Sequence, residues 1–146
     1  MAEYENSYIN DERNIQALGN YNQINEEKSD ILISGRGNKV NHNHVQLLGG
    51  GLTSGGDHQT IVGTHNQPLN SDYIFIVGNG KQREKSNAMV LSDNGNLYTA
   101  GGYEADGMII SKKHKIVSDI EVVGNALAVQ YTDGTSDLKN LTTPTI

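Results

Sequence analysis

The chain has 146 residues, a net charge of −6, 17 Gly, no Cys and no Trp, and only 35% of it is hydrophobic. Without Cys there are no disulfides, thiolate zinc sites or thiol chemistry; the acidic balance argues against a nucleic-acid binder, and no apolar run reaches the length of a membrane span. A lone monomer of this composition buries a thin core, so stability is expected to come from another source, with oligomerisation among the usual ones.

Residues 1–29 are acidic, rich in Asn and poor in large apolar side chains. The opening MAEYENSYINDERN is polar and acidic and does not read as a signal peptide. The run DERNIQALGNYNQINEEK predicts a short helix over 11–18, with Asp11 as N-cap, Gly19 as stop and Ile15, Leu18 and Ile24 as anchors. Such a segment is marginal alone and either docks on something or forms an unstructured leader.

Beyond residue 30, apolar segments end in glycine at a near-constant step: ILISG at Gly35, VQLLGG with Gly49, TIVG with Gly63 and IFIVGNG with Gly78, which are 14, 14 and 15 residues apart. Polar stretches rich in Gly, Asn, His and Thr separate them. This register predicts a coil of short stacked strands, each rung burying its apolar pair on the next. Glycine suits the positive-φ corners, and Asn38, Asn66 and Asn79 are expected to serve at corners too. No segment between 30 and 103 carries a helical stripe. The basic groups KQREK at 81–85 and KKHK at 112–115 read as solvated loops or strand edges.

Residues 88–101 predict a hairpin, AMVLS and NLYTA about Asp93-Asn94-Gly95, since Asn-Gly is the strongest short hairpin signal. Residues 117–135 predict another, turning at Gly124-Asn125 and ending at Asp133-Gly134. There Ile120, Val122, Leu127, Val129 and Tyr131 alternate with polar or small neighbours, which implies one buried face. Three copies about a threefold axis would close that face, because a hairpin alone is barely stable. The sequon Asn140-Leu141-Thr142, with no secretory signal before it, reads as accidental.

The repeats resemble the left-handed parallel β-roll of trimeric adhesin heads and related β-rolls of bacteriophage fibres. The stretch FIVGNGKQREKSNAMVLSDNGNLYTAGG at 75–102 resembles phage tail- and head-fibre sequences more specifically, through Gly78-Asn79-Gly80, Ser86-Asn87-Ala88, Asn94-Gly95-Asn96 and Ala100-Gly101. It departs from them in having DNGN where DGN is commoner, and the adhesin rolls have tighter small-residue repeats. IEVVGNALAVQYTDGT is similar to hairpins near the ends of phage fibres. The resemblance covers about half the chain. It implies a mostly β homotrimer: an N-terminal attachment segment at 1–29, a repeat β-roll or interwoven β shaft at 30–91, and a C-terminal β-hairpin region at 92–146. It further implies a structural virion protein on the particle exterior, joined through its N-terminus to other virion proteins and involved in attachment to the host surface. Head and tail location are both left open. The alternative expectation is a receptor- or glycan-binding tip, or an adhesin head fragment, with Tyr98 and Tyr103 as the aromatic platform.

A polysaccharide depolymerase ranks below both, and no enzyme is expected. Glycoside hydrolysis needs two carboxylates some 5–10 Å apart, and no spacing pairs Asp57, Asp72, Glu84 or Asp93. There is no G-x-S-x-G elbow. The clusters GRGNKV and GGGLTSGGDH lack the Walker Gly-Lys-Ser/Thr and a following helix. His42 and His44 form an H-x-H pair, and His44 lies 14 residues, one repeat, before His58, so that those two would stack in a coil. His65 is expected on another face, and His114 lies outside the repeat. Two imidazoles fall short of a tight metal site. Three parallel copies of His42 and His44 would supply an octahedral set for a transition-metal ion on the trimer axis, similar to metal sites in some phage tail fibres. No other cofactor is expected. The competing reading places these histidines at exposed corners or in hydrogen-bonded ladders.

Overall fold

The computed structural model describes residues 1–101, 117–131 and 134–140, all in strands and turns, with no helix among them. They fall in two units, 1–102 and 103–146. The strands of the first are β1 (Ala2–Tyr4), β2 (Tyr8–Asn10), β3 (Ile15–Leu18), β4 (Asn22–Ile24), β5 (Ile31–Arg36), β6 (Lys39–Val40), β7 (Val45–Gly50), β8 (Thr60–Thr64), β9 (Tyr73–Asn79), β10 (Asn87–Ser92) and β11 (Leu97–Thr99). The second holds β12 (Val117–Val123), β13 (Ala126–Tyr131) and β14 (Ser136–Asn140).

The first unit is a solenoid-like stack. Strands β3, β5, β7, β8 and β9 pair in parallel, each one turn of the chain beyond the last. A second, smaller sheet stacks β4 on β6, with Thr53 continuing the column beside Lys39. Period-two alternation sends every other side chain inward. Ile15, Ile31 and Val45 stand in one internal column, and Ile33, Leu47, Ile61 and Ile76 in the next. Ile24, Val40 and Leu52 are buried with them in the same core. The expected coil is therefore present, but it starts a turn earlier than the 14-residue register indicates. The first rung is Ile15–Ile24, inside the segment read as distinct, and the expected helix over 11–18 is instead a turn followed by β3. Leu18, expected as an anchor, points outward, and Ala17 takes the core position.

Both ends of the stack are closed by antiparallel strands: β2 pairs with β3 at one end, and β10 and β11 follow β9 at the other. Such caps cover the open parallel edges that would otherwise invite further strand addition. The predicted hairpin at 88–101 is β10–β11, with Val90 opposite Tyr98 and Gly95 at φ +86°. KQREK lies in the exposed turn between β9 and β10.

Glycines 19, 35, 49, 63 and 78 are directly in register, and the first four have φ between +100° and +144°. A Cβ on Gly49 would lie 1.9 Å from the Gly63 carbonyl oxygen, and one on Gly35 would lie 1.8 Å from that of Gly49. Asn38 and Asn66 do not hold positive-φ corners, and neither does Asn79. Asn38 and Asn66 are fully buried instead. Asn38 Nδ2 donates to Asn22 Oδ1 and to the Gly49 carbonyl, while its Oδ1 accepts from Leu52 N, so one side chain ties three rungs. A further buried amide, Gln59, fills the core column after Val45. Its Nε2 donates to the carbonyls of Leu69, Asn70 and Tyr73, and its Oε1 accepts from Gly55 and Gly56 N–H. It thereby fixes the long excursion that stretches this repeat to 15 residues.

In the second unit, β12, β13 and β14 form an antiparallel sheet, with the predicted turn at Gly124 (φ +61°) and Asn125. Ile120 faces Val129 and Val122 faces Leu127, as the alternation implies. Among the described residues of this unit nothing covers the face: Ile120 is 58% and Val122 64% exposed, and only Ala126 of the sheet is buried.

Gly49→Ala should lower stability by about 3 kcal/mol, from positive-φ strain and the carbonyl clash together. Gly37→Ala, at φ +68° with nothing within 4 Å of the new Cβ, should cost about 1 kcal/mol. Gln59→Leu leaves five backbone groups without their partner and should cost about 3 kcal/mol or more. Urea titration followed by circular dichroism measures all three.

Candidate functional site: a side-chain ladder beside a groove

The residue just before β3, β5 and β7 is left-handed, Asn14 (φ +53°), Asp30 (+57°) and His44 (+55°), and so is His58 (+60°), two residues before β8. Asn, Asp and His are the non-glycine residues that best tolerate this region, which accounts for the polar residues chosen here. In this conformation His44 N donates to the Ser29 carbonyl of the previous rung, and His58 N to that of Asn43. A neighbouring ladder locks the same corner. Ser29 N donates to Asn43 Oδ1, Asn43 N to Asp57 Oδ1, and Asp57 N to Ser71 Oγ, at 2.9–3.1 Å.

Stacking aligns the four left-handed side chains. Asn14 Nδ2 donates to Asp30 Oδ1 at 3.0 Å, Ser29 Oγ donates to Asp30 Oδ2, and His44 Nδ1 lies 3.2 Å from the same Oδ2. The His44 ring in turn stacks on that of His58, with centroids 4.5 Å apart and planes 21° from parallel. The hydrogen bonds from Asn14 and Ser29, with the nearby His44 adding to them, hold the Asp30 carboxyl below its ordinary range.

Beside this ladder runs a groove across three rungs, lined by Asn14, Asp30 and His44 on one side and by Gln16, Leu32 and Gln46 on the other, with Ile31 between them. Gln16, Leu32 and Gln46 are directly in register on the outer face of the sheet.

The H-x-H pair is divided between different neighbours. His44 joins Asp30 and His58, whereas His42 Nδ1 lies 2.9 Å from the Ser54 hydroxyl. Among the described residues no three His, Asp or Glu side chains are grouped to hold a metal ion; the trimer-axis arrangement of His42 and His44 involves other copies. His65 is left-handed as well (φ +40°), in a second corner column with Tyr21, Gly37 and Gly51. Asp57 is committed to Asn43 N–H and Asp72 to Asn70. Tyr98 is half-exposed on β11, its ring edge-on to Tyr73 at 6.4 Å. Tyr103 and His114 lie outside the described residues. Asp30, Gln16 and Gln46 were not anticipated as a group. The signal available was the step of 14 from Asp30 to His44 to His58, read one rung further back.

No family model, curated protein or solved structure matches this chain.

Asn14→Ala should raise the Asp30 pKa toward the ordinary carboxylate value of about 3.9. Because the folded-state value is depressed, ionised Asp30 contributes stability above that ordinary range and loses it as pH falls through the folded-state value. Carboxyl-carbon NMR titration of the two proteins checks the shift directly.

Proposed function

We propose that this chain is a structural element of a fibre or appendage of the kind carried on the exterior of a phage particle, and that it assembles as a homotrimer through the outer face of its large sheet. The observation that carries this reading is the composition of that face. Two outward columns run in register from β3 to β11. One reads Leu18, Ser34, Leu48, Val62, Val77 and Met89; the other ends in Thr60, Phe75, Leu91 and Leu97. None of the chain's 11 basic or 17 acidic side chains stands in either column. A third outward column at the strand ends, Arg36, Gly50, Thr64 and Asn79, carries one charge, and the outward positions of the smaller sheet include Glu3 and Lys39.

Copies meeting about a rotation axis bring equal residues near one another, so any charge on the shared face meets its like. Two columns without charge avoid that cost, and in one chain they leave Leu18 and Leu48 at 47% and 40% exposure. Burying what remains exposed of each contributes about 1 kcal/mol. Three faces closing on one axis also match the trimeric β-rolls that the repeats resemble. The stacked coil, capped at both ends, supports a rod-forming rather than a cleft-forming role.

Size-exclusion chromatography with light scattering should give three times the 15.8 kDa chain mass. Val62→Lys, which places a charge in the middle of the face, should yield the single-chain mass with the circular dichroism of the coil retained. A wild-type protein that runs at 15.8 kDa at micromolar concentration overturns the proposal.

A further inference from the structure

We propose that the groove between the left-handed ladder and the Gln16–Leu32–Gln46 column binds an extended, neutral, β-1,4-linked oligosaccharide lying along the stacking direction. The groove takes the start of the second outward column, at Gln16, Leu32 and Gln46 beside the strand starts, whereas the assembly face is formed by the first column, from Leu18 to Met89, and by the far end of the second at Phe75, Leu91 and Leu97.

Three features define the ligand. The first is shape: the lining comes from three consecutive rungs in parallel register, so equivalent groups repeat along a straight line at about 4.8 Å. In a straight β-1,4-linked chain successive pyranoses are turned over, so equivalent groups on one edge recur at every second ring, a spacing that suits Gln16 and Gln46 two rungs apart; a bent α-linked chain offers no such line. The second is free hydrogen-bonding capacity. The carboxamides of Gln16 and Gln46 make no hydrogen bond to the described residues, and each offers two donors and an acceptor. His44 turns its Nδ1 to Asp30, which leaves Nε2 for a ligand. Asp30 retains acceptor capacity beyond its bonds to Asn14 and Ser29. Leu32, between the two amides, supplies an apolar contact for a sugar ring face. The third is charge: an Asp30 carboxylate held ionised, on a chain of net −6, disfavours polyanions and leaves hydroxyl and acetamide groups as the matching chemistry.

The test is a titration of the full-length, nitrogen-15-labelled protein with chitotetraose, followed by amide NMR. Shifts are expected at residues 14–16, 30–32 and 44–46, with a dissociation constant on the order of 1 mM or tighter. Gln16→Ala and Gln46→Ala should each weaken binding about tenfold. Gln23→Ala, on the opposite sheet, should leave it unchanged, and maltotetraose should bind about tenfold more weakly than chitotetraose. Both glutamine sites are exposed, so these variants should keep the wild-type circular dichroism and the assay reads binding alone. Absence of shifts with chitotetraose, equal binding of the two sugars, or shifts centred on Tyr98 instead would each overturn the proposal. A monomeric wild type that still binds through these residues would uphold the groove while removing the assembly reading.

Discussion

Everything in the first unit depends on how closely successive turns of backbone approach one another at Gly19, Gly35, Gly49, Gly63 and Gly78. There the backbone of one rung occupies the space in which the previous rung's Cβ would stand. Contact that close keeps the parallel hydrogen bonds continuous through the corner, so every rung leaves its strand in the same direction and at the same height. Once the corner is fixed, the inward columns of Ile, Leu and Val stack on their counterparts without slippage. A one-residue error would exchange the inner and outer faces of a whole rung.

Polar side chains handle the remaining difficulty of a coil, which is the backbone left unpaired at each bend. Inside, Asn22, Asn38, Asn66 and Gln59 satisfy N–H and carbonyl groups that no strand reaches. A buried amide without partners would cost more than it contributes, but these make two to five hydrogen bonds each. Outside, Ser29, Asn43, Asp57 and Ser71 cap successive rungs, and the left-handed residues next to them form the column in which Asp30, His44 and His58 meet. The groove is thus a by-product of corner construction: residues selected for tolerance of positive φ also carry hydrogen-bonding groups, and stacking places those groups in a line. His44 and His58 owe their position to backbone geometry.

Much of the fold was legible because its dominant constraint repeats. The glycine step of 14 marks the rungs, and Asn94-Gly95 and Gly124-Asn125 mark turns whose strands are where alternation places them. The first rung does not show in the period because Gly19 to Gly35 is a step of 16: two extra residues in the turn after Ile24 break it. Ile15 and Leu18 then mimic a helical pair, while Ala17, too small to be noticed in a hydrophobic pattern, takes the core position. Asn38 reads as a corner residue in the sequence for a related reason. Asn favours both left-handed corners and buried amide ladders, and only the rungs above and below distinguish them.

The sequence by itself determined the strand-rich class, the repeat and its register, the hairpins, and the absence of thiol chemistry, because each rests on local composition or on spacing along the chain. Only the tertiary structure decided which face of each rung turns inward at the ends of the coil, which amides are buried, and that His44 belongs with Asp30 and His58 rather than with His42. Those outcomes depend on neighbours a full turn away, brought within hydrogen-bonding and stacking distance by the coil, and no local pattern encodes them.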